Sequence, residues 1–393
     1  MPVSRVKLVT AVALAILLGA ATFFTATWVA RELRTSPDTA TVAGGSVPEH
    51  VYNAPDTVPT TSTYGPVGAV SLVFAGNDVL TGLTGHLADP WIAVSSQTGD
   101  YRALSVPHRP AAAPGAMSVS ADGTALAWGW AGGAVVYDAV EDETHPVTGF
   151  AEAPVVGAFS PSGERLAVFD GSLRVVDVRT QEVVATLRGV TERAARQAVW
   201  TTDGAALTYV DDGRLVTHEW RSDERADVPT QIPPDATLRW SPSGEQLAAM
   251  RMTRGVKVVD VFQVAEDGRL ALTRTLRPEK HSMQRLLGFT SENSVSVTAL
   301  RLDSGSIEQV FQVSTTDTST PLPVMQLPGP GVNWAGSQTL AVAAKPLAHG
   351  SVAFEEPQWP WSDVSKLVVS AVFALFVLGL YLTRRAPRRM RRG

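Results

Sequence analysis

Ser120–Ala127 reads SADGTALA, and three later stretches repeat its pattern: SPSGERLA (Ser160–Ala167), TTDGAALT (Thr201–Thr208) and SPSGEQLA (Ser241–Ala248). Their glycines, Gly123, Gly163, Gly204 and Gly244, recur along the chain at near-constant spacings of 40, 41 and 40. An apolar or aromatic residue precedes each copy: Val119, Phe159, Trp200 and Trp240. Glycine in such a polar turn reaches positive φ without strain, so two strands can reverse tightly around it. Short strands and turns recurring with a period in the low forties predict a β-propeller, one blade per repeat.

The rest of each repeat fits a four-stranded blade. An alternating apolar run follows the glycine turn. A second turn comes at Gly132-Gly133, Asp170-Gly171, Asp211-Asp212-Gly213 or Arg254-Gly255. A third strand then runs to an acidic residue: Asp138, Asp177, Glu219 or Asp260. The offsets from turn glycine to acid are 15, 14, 15 and 16. A further turn and a fourth strand, such as QEVVATLRG (Gln181–Gly189), complete the unit. Short runs rich in Val, Leu and aromatic residues fit strands throughout.

Weaker copies lie at Leu72–Gly82, Leu286–Val297 and Gly331–Val342. The leading hydrophobes are then Phe74, Val119, Phe159, Trp200, Trp240, Phe289 and Trp334, spaced 45, 40, 41, 40, 49 and 45. Seven anchors predict an all-β, seven-bladed propeller, with six or eight blades left open by the degenerate end copies. The phrase "aromatic-SPSG-x-x-LA" resembles the blade opening of WD40-like and TolB-like propellers, and the resemblance covers about Val67–Ala344. It is specific for fold and poor for function. The third-strand acid matches the WD40 pattern, but no Trp precedes it and the Gly-His pair is missing. The WD40 histidine network is therefore not carried over. Repeat residues of this kind build blades and need touch no ligand.

The chain of 393 residues has no cysteine, which excludes disulfides, thiolate metal sites, a cysteine nucleophile and a lipidated lipobox cysteine. Its two ends suggest a membrane. Leu8–Ala30 carries no charge and is long enough to span hydrocarbon as a helix. Leu367–Leu382 is a second, shorter uncharged run, which Val364 and Ser365 extend and from which Lys366 can snorkel. Trp359 and Trp361 stand where an interfacial aromatic belt would lie, and Arg384, Arg385, Arg388, Arg389, Arg391 and Arg392 follow. The arginine cluster, and more weakly Arg5 and Lys7, place both termini in the cytoplasm and the propeller outside a bacterial plasma membrane. The first run is read as an uncleaved anchor and not a signal peptide, because it is long and no small-x-small site follows. Gly19, Ala20 and Ala21 would permit close helix packing.

The expected organisation is residues 1–7 cytoplasmic, 8–30 membrane helix, 31–66 Pro/Thr-rich linker, 67–345 propeller, 346–363 linker, 364–383 membrane helix and 384–393 basic tail. High Ala, Val, Gly and Arg content suggests a GC-rich bacterium such as an actinobacterium. Between Thr35 and Asp363 there are 22 basic and 37 acidic residues, a net charge of −15 hidden in the whole-chain value of −5. An acidic ectodomain argues against nucleic acid and against direct adhesion to anionic lipid.

No catalytic constellation stands out. The seven histidines are dispersed, none within ten residues of another, so there is no paired ligand motif. There is no G-x-S-x-G elbow and no phosphate-binding glycine loop. The acidic turns at Glu141-Asp142-Glu143 and Asp211-Asp212 lack the alternate-oxygen pattern of a calcium loop and read as solvated turns. No cofactor or metal is expected. Trp128 and Trp130, in AWGWAGG, would share one face of a strand, where blade-to-blade packing competes with an exposed contact surface. The leading expectation is a non-enzymatic, membrane-anchored scaffold or accessory subunit of an envelope complex, with a membrane or wall-facing protein as partner. A sensor binding a glycan or peptide at the channel mouth is the alternative, and a propeller hydrolase or lyase the third.

Overall fold

A computed structural model describes residues 44–357 except 77, 82–84, 89, 108–116, 151–153, 266–267, 278–279, 302–307, 318–319 and 329–339, together with 359, 368 and 370–372. Six four-stranded antiparallel sheets follow one another around a ring. Blade 2 runs Ser118–Val119, Ala125–Trp130, Gly133–Asp138, Glu143–Val147 from channel to rim. Blade 3 is Val155–Phe159, Arg165–Phe169, Leu173–Asp177, Val183–Leu187; blade 4 is Val199–Trp200, Ala206–Asp211, Arg214–Glu219, Arg225–Pro229. Blade 5 is Thr237–Trp240, Gln246–Thr253, Val256–Val264, Leu270–Leu276; blade 6 is His281–Ser291, Ser294–Arg301, Glu308–Ser314, Leu322–Gln326.

Blade 1 is built from both ends of the domain. Its inner strand is Ala341–Val342, and its other three strands are Val70–Ala75, Trp91–Ser95 and Tyr101–Ala103. Leu72 pairs with Val342 and Val73 with Ala341. This corrects the count of seven. Phe74 sits on the second strand of blade 1, not on an inner strand, and a small hairpin (Val79–Thr81 with Gly85–Leu87) follows it. The last sequence copy leads into the inner strand of that same blade, so one blade was counted at each end. Trp334 itself lies outside the described residues. The long interval from Trp240 to Phe289 is taken up by the 8- and 9-residue middle strands of blade 5.

The repeated phrase is turn chemistry. In each copy the leading hydroxyl accepts the amide five residues on: Ala125 to Ser120 at 2.9 Å, Arg165 to Ser160 at 3.1 Å, Ala206 to Thr201 at 3.0 Å and Gln246 to Ser241 at 3.1 Å. The four glycines have φ of 78°, 78°, 69° and 79°, a region open to glycine at little cost. Strand alternation then sends successive side chains to opposite neighbours. Leu166 and Val168 join the core against blade 2, while Ala167 and Phe169 join the core against blade 4. Six such inter-blade cores close the ring, each holding residues of two adjacent blades.

The domain is larger than the 67–345 read from sequence. Residues 44–66, expected to be linker, run along the outer edge of the seam between blades 6 and 1. Val47–Pro48 pairs in parallel with Ser351–Val352, the Val51 amide bonds to Gln326, and the Ala103 amide bonds to Pro59. Val47, Val51 and Val58 are buried there. The segment pairs residue by residue at sheet edges, so it shows no strand periodicity. After blade 1 the chain forms a short helix, Ala344–His349, with Leu347 buried in the same core, so this part of the expected 346–363 linker also belongs to the propeller. Among the described residues no helix is long and apolar enough to cross a membrane. The first expected span, the second apart from residues 368 and 370–372, the arginine cluster, Trp361 and Lys366 lie outside the described residues.

Candidate functional site

The inner strands of the six blades surround a central channel holding a cavity of about 410 Å³. Its walls are mostly apolar and aromatic, with Phe159, Trp200, Trp240 and Phe289 among them. Two charged side chains line it, Arg239 on blade 5 and Arg285 on blade 6, and no Asp or Glu does so among the described residues. Arg239 Nε donates to the Leu287 carbonyl at 3.0 Å, across the seam to blade 6, and Nη1 donates to Leu238 O at 2.8 Å. Arg285 Nη1 donates to the Leu340 carbonyl, across the next seam. Burial, and secondarily the positive charge of Arg285, pull the Arg239 pKa down to about 10; burial also lowers that of Arg285. An arginine guanidinium keeps its proton in proteins at neutral pH.

Arg239 could have been found from sequence. It directly precedes the anchor Trp240, where Ser118, Ala158, Val199 and Gly288 stand in other blades. A charge at that small or apolar position was the signal.

The anchors differ in detail. Trp200 is buried, and its indole N–H donates to Ala158 O at 2.8 Å in the preceding blade. Trp240 is half-buried along the channel, and its N–H has no acceptor among the described residues. Trp128 is completely buried in the core between blades 1 and 2, 6.4 Å from the Tyr137 ring, so it presents no surface. Trp130 packs half-buried against the same core, over the glycines of its own hairpin. Trp359 stacks edge-on to Tyr101 at 5.3 Å, on the outer side of the seam core.

A second concavity, of about 530 Å³, opens between blades 2 and 3. It carries Asp122, Asp138, Glu164 and Asp177 with Arg165 and Arg179. Three of these acids are committed to turns. Asp138 accepts the amides of Val140 and Glu141, and Asp177 those of Arg179 and Thr180. Asp177 also meets Arg165 at 2.7 Å. Hydrogen bonding from Thr180 leads the causes that hold Asp177 below the ordinary carboxylate range. At Asp122 burial works the other way, but bonds from Ser120 and Thr124 outweigh it and the pKa is again lowered. Asp122 and Asp177 are thus ionised bases with occupied lone pairs, poorly placed as general acids.

The fourth acid of the sequence pattern is not equivalent to the other three. Asp138, Asp177 and Glu219 pair with Ala125, Arg165 and Ala206, two residues after their glycines; in blade 5 that place belongs to Gln263, opposite Gln246. Asp260 is buried in mid-strand and bonds to Arg251 and to Thr275 Oγ1. A different repeat escaped sequence reading. The residue before the acid bonds to an aspartate five positions on, in a turn with positive φ: Tyr137 to Asp142 at 2.6 Å, and His218 to Asp223 at 2.8 Å, with Tyr209 closing on His218 at 3.1 Å. Asp142 is thus a structural acceptor, not merely a solvated turn residue. Among the described residues no group of His, Asp and Glu could hold a metal.

No protein-family model matches the sequence, and no curated protein does. Solved structures do resemble the fold. TolB from Acinetobacter baumannii is 15% identical, with 72% of this chain and 69% of that one covered, at a TM-score of 0.43. A putative TolB from Agrobacterium tumefaciens is 14% identical, covering 66% and 94%, at 0.40. Kuenenia stuttgartiensis hydrazine synthase is 18% identical, covering 56% and 69%, at 0.41. At these identities the likeness is one of fold. The class that the strand pairing defines is the β-propeller, with six blades.

Proposed function

We propose that the chain is a membrane-tethered propeller acting outside a bacterial plasma membrane as a protein-interaction scaffold or accessory subunit of an envelope complex. One observation carries the reading. Val47–Pro48 lies beside Ser351–Val352, and His349 Nδ1 lies 3.0 Å from the carbonyl oxygens of Gly44 and Gly45. Gly44 and the stretch 349–352 therefore lie at one place on the ring. Two apolar runs attached there, Leu8–Ala30 and Leu367–Leu382, can enter a bilayer side by side and hold the ring in a fixed relation to it. A rigid ring with six sets of surface loops is suited to holding a partner protein.

The test combines topology and capture. The native chain has no cysteine, so a single Ser222→Cys, on an exposed turn of blade 4, reports its own compartment. It is expected to react with an impermeant maleimide in intact, wall-permeabilised cells. Protection there, with labelling of Gly393→Cys, would invert the topology. Crosslinking of the full chain in native membranes, read by mass spectrometry, is expected to join a blade residue to a specific membrane or wall-facing protein. Recovery of the chain in the soluble fraction would overturn the tether, and crosslinks confined to the chain itself would overturn the scaffold.

A further inference from the structure

The geometry points to the central channel as a binding site for a small oxyanion ligand, a carboxylate or a phosphate, held by the guanidinium groups of Arg239 and Arg285. The inference does not depend on the tether.

Residues 35–363 carry a net charge of −15, yet the charged groups lining this channel among the described residues are two arginines. Residues 331–339, which precede the last inner strand in sequence, contain no Asp or Glu. Among the described residues Arg239 makes no ion pair; its bonds go to two backbone carbonyls through Nε and Nη1, and Nη2 donates to nothing. Carbonyl oxygens orient a guanidinium but do not neutralise it. Two like charges brought together in a confined, largely apolar space disfavour each other and both lose hydration. Seam stitching alone would be served by a neutral donor such as Gln. A bound oxyanion would offset the charge of Arg239, and it would accept the forked donors that arginine presents. The cavity, about 410 Å³, is of a size that takes a small molecule, and the aromatic walls suit an organic body attached to the anionic group.

The probes are inorganic phosphate and succinate, each titrated against the full chain in detergent at constant ionic strength, with chloride as the reference. Binding is read by calorimetry and by the thermal midpoint. At least one probe is expected to raise the midpoint over chloride, and the responding probe tells phosphate from carboxylate. Arg239→Gln is expected to weaken that binding at least tenfold. Arg239→Lys keeps charge and stem but loses the fork, so it should fold and bind with intermediate affinity. A measurement on the unaltered chain guards against misfolded variants: arginine-directed dicarbonyl modification, mapped by mass spectrometry, should slow at Arg239 and Arg285 when the probe is present. No midpoint rise with either probe, an equal rise in Arg239→Gln, or unchanged modification rates would each overturn the site.

Discussion

Leu72 and Val342, near opposite ends of the domain in sequence, lie directly opposite each other in an antiparallel pair, and both side chains face the core between blades 6 and 1. This pair closes the ring at the inner edge of blade 1. Directly opposed residues have β-carbons roughly 4.5–5.5 Å apart, close to what a disulfide needs. The double variant Leu72→Cys, Val342→Cys should therefore crosslink under mild oxidation of the folded chain. It should raise stability by up to about 5 kcal/mol, the range expected for closing a long loop. Thiol titration and melts with and without reductant check this. Two free thiols after oxidation of folded protein would show that the ring is not closed here.

Trp200 and Trp240 open successive blades and look equivalent in sequence, but they should respond differently to truncation. Trp200 is buried against blade 3 and satisfies its N–H; Trp240 keeps part of its surface in the channel and has no acceptor among the described residues. Trp200→Ala should cost about 3–5 kcal/mol, the usual toll of removing a buried aromatic. Trp240→Ala should cost clearly less, because less area returns to water and no bond is lost. Equal shifts in denaturant midpoint would contradict the distinction.

The carboxylates in the glycine turns make stability fall in acid. Asp203, bonded first by Thr201 and then by the Ala205 amide, has a lowered pKa, as does Asp122. A carboxylate that holds its proton more weakly when folded stabilises above its unfolded value of about 3.9, and this is lost as pH falls through the lowered folded value. Asp122→Ala and Asp203→Ala should each be less stable than the parent at pH 7, and the gap should close below about pH 4. Denaturant unfolding across pH 2.5–7 reads it; a gap of constant size would mean that the charge contributes nothing.

What sequence revealed and what it hid follow the range of the interactions concerned. The turn phrase is local: one hydroxyl, one glycine and a short stretch of chain define it, so all four copies were legible. Blade number depends on the pairing of Val342 with Leu72, which no local pattern records, and the shared blade was read twice. Spacing alone made Asp260 look like the third-strand acids, because lengthened strands shifted the register without spoiling the count. The edge segment carrying Val47, Val51 and Val58 meets its partners singly and so resembles linker. Arg239 was visible only as an odd residue beside an anchor; its place in the channel comes from the ring as a whole.

The repeat glycines share a backbone conformation but not surroundings, which separates local strain from tertiary contact. Gly123 and Gly204 have φ of 78° and 69°. A β-carbon at Gly204 would find its nearest atom, Pro161 Cδ, at an ordinary 3.6 Å. At Gly123 it would stand 1.9 Å from the Val70 carbonyl oxygen, where the turn of blade 2 docks on the closing strand and Gly123 O accepts the Val70 amide at 2.8 Å. Gly204→Ala should thus cost only the left-handed backbone term, about 1–2 kcal/mol. Gly123→Ala must also displace backbone at the ring closure, and should cost at least twice as much or abolish cooperative melting of the full chain. Matching melts for the two variants would mean that the turn of blade 2 does not rest on Val70.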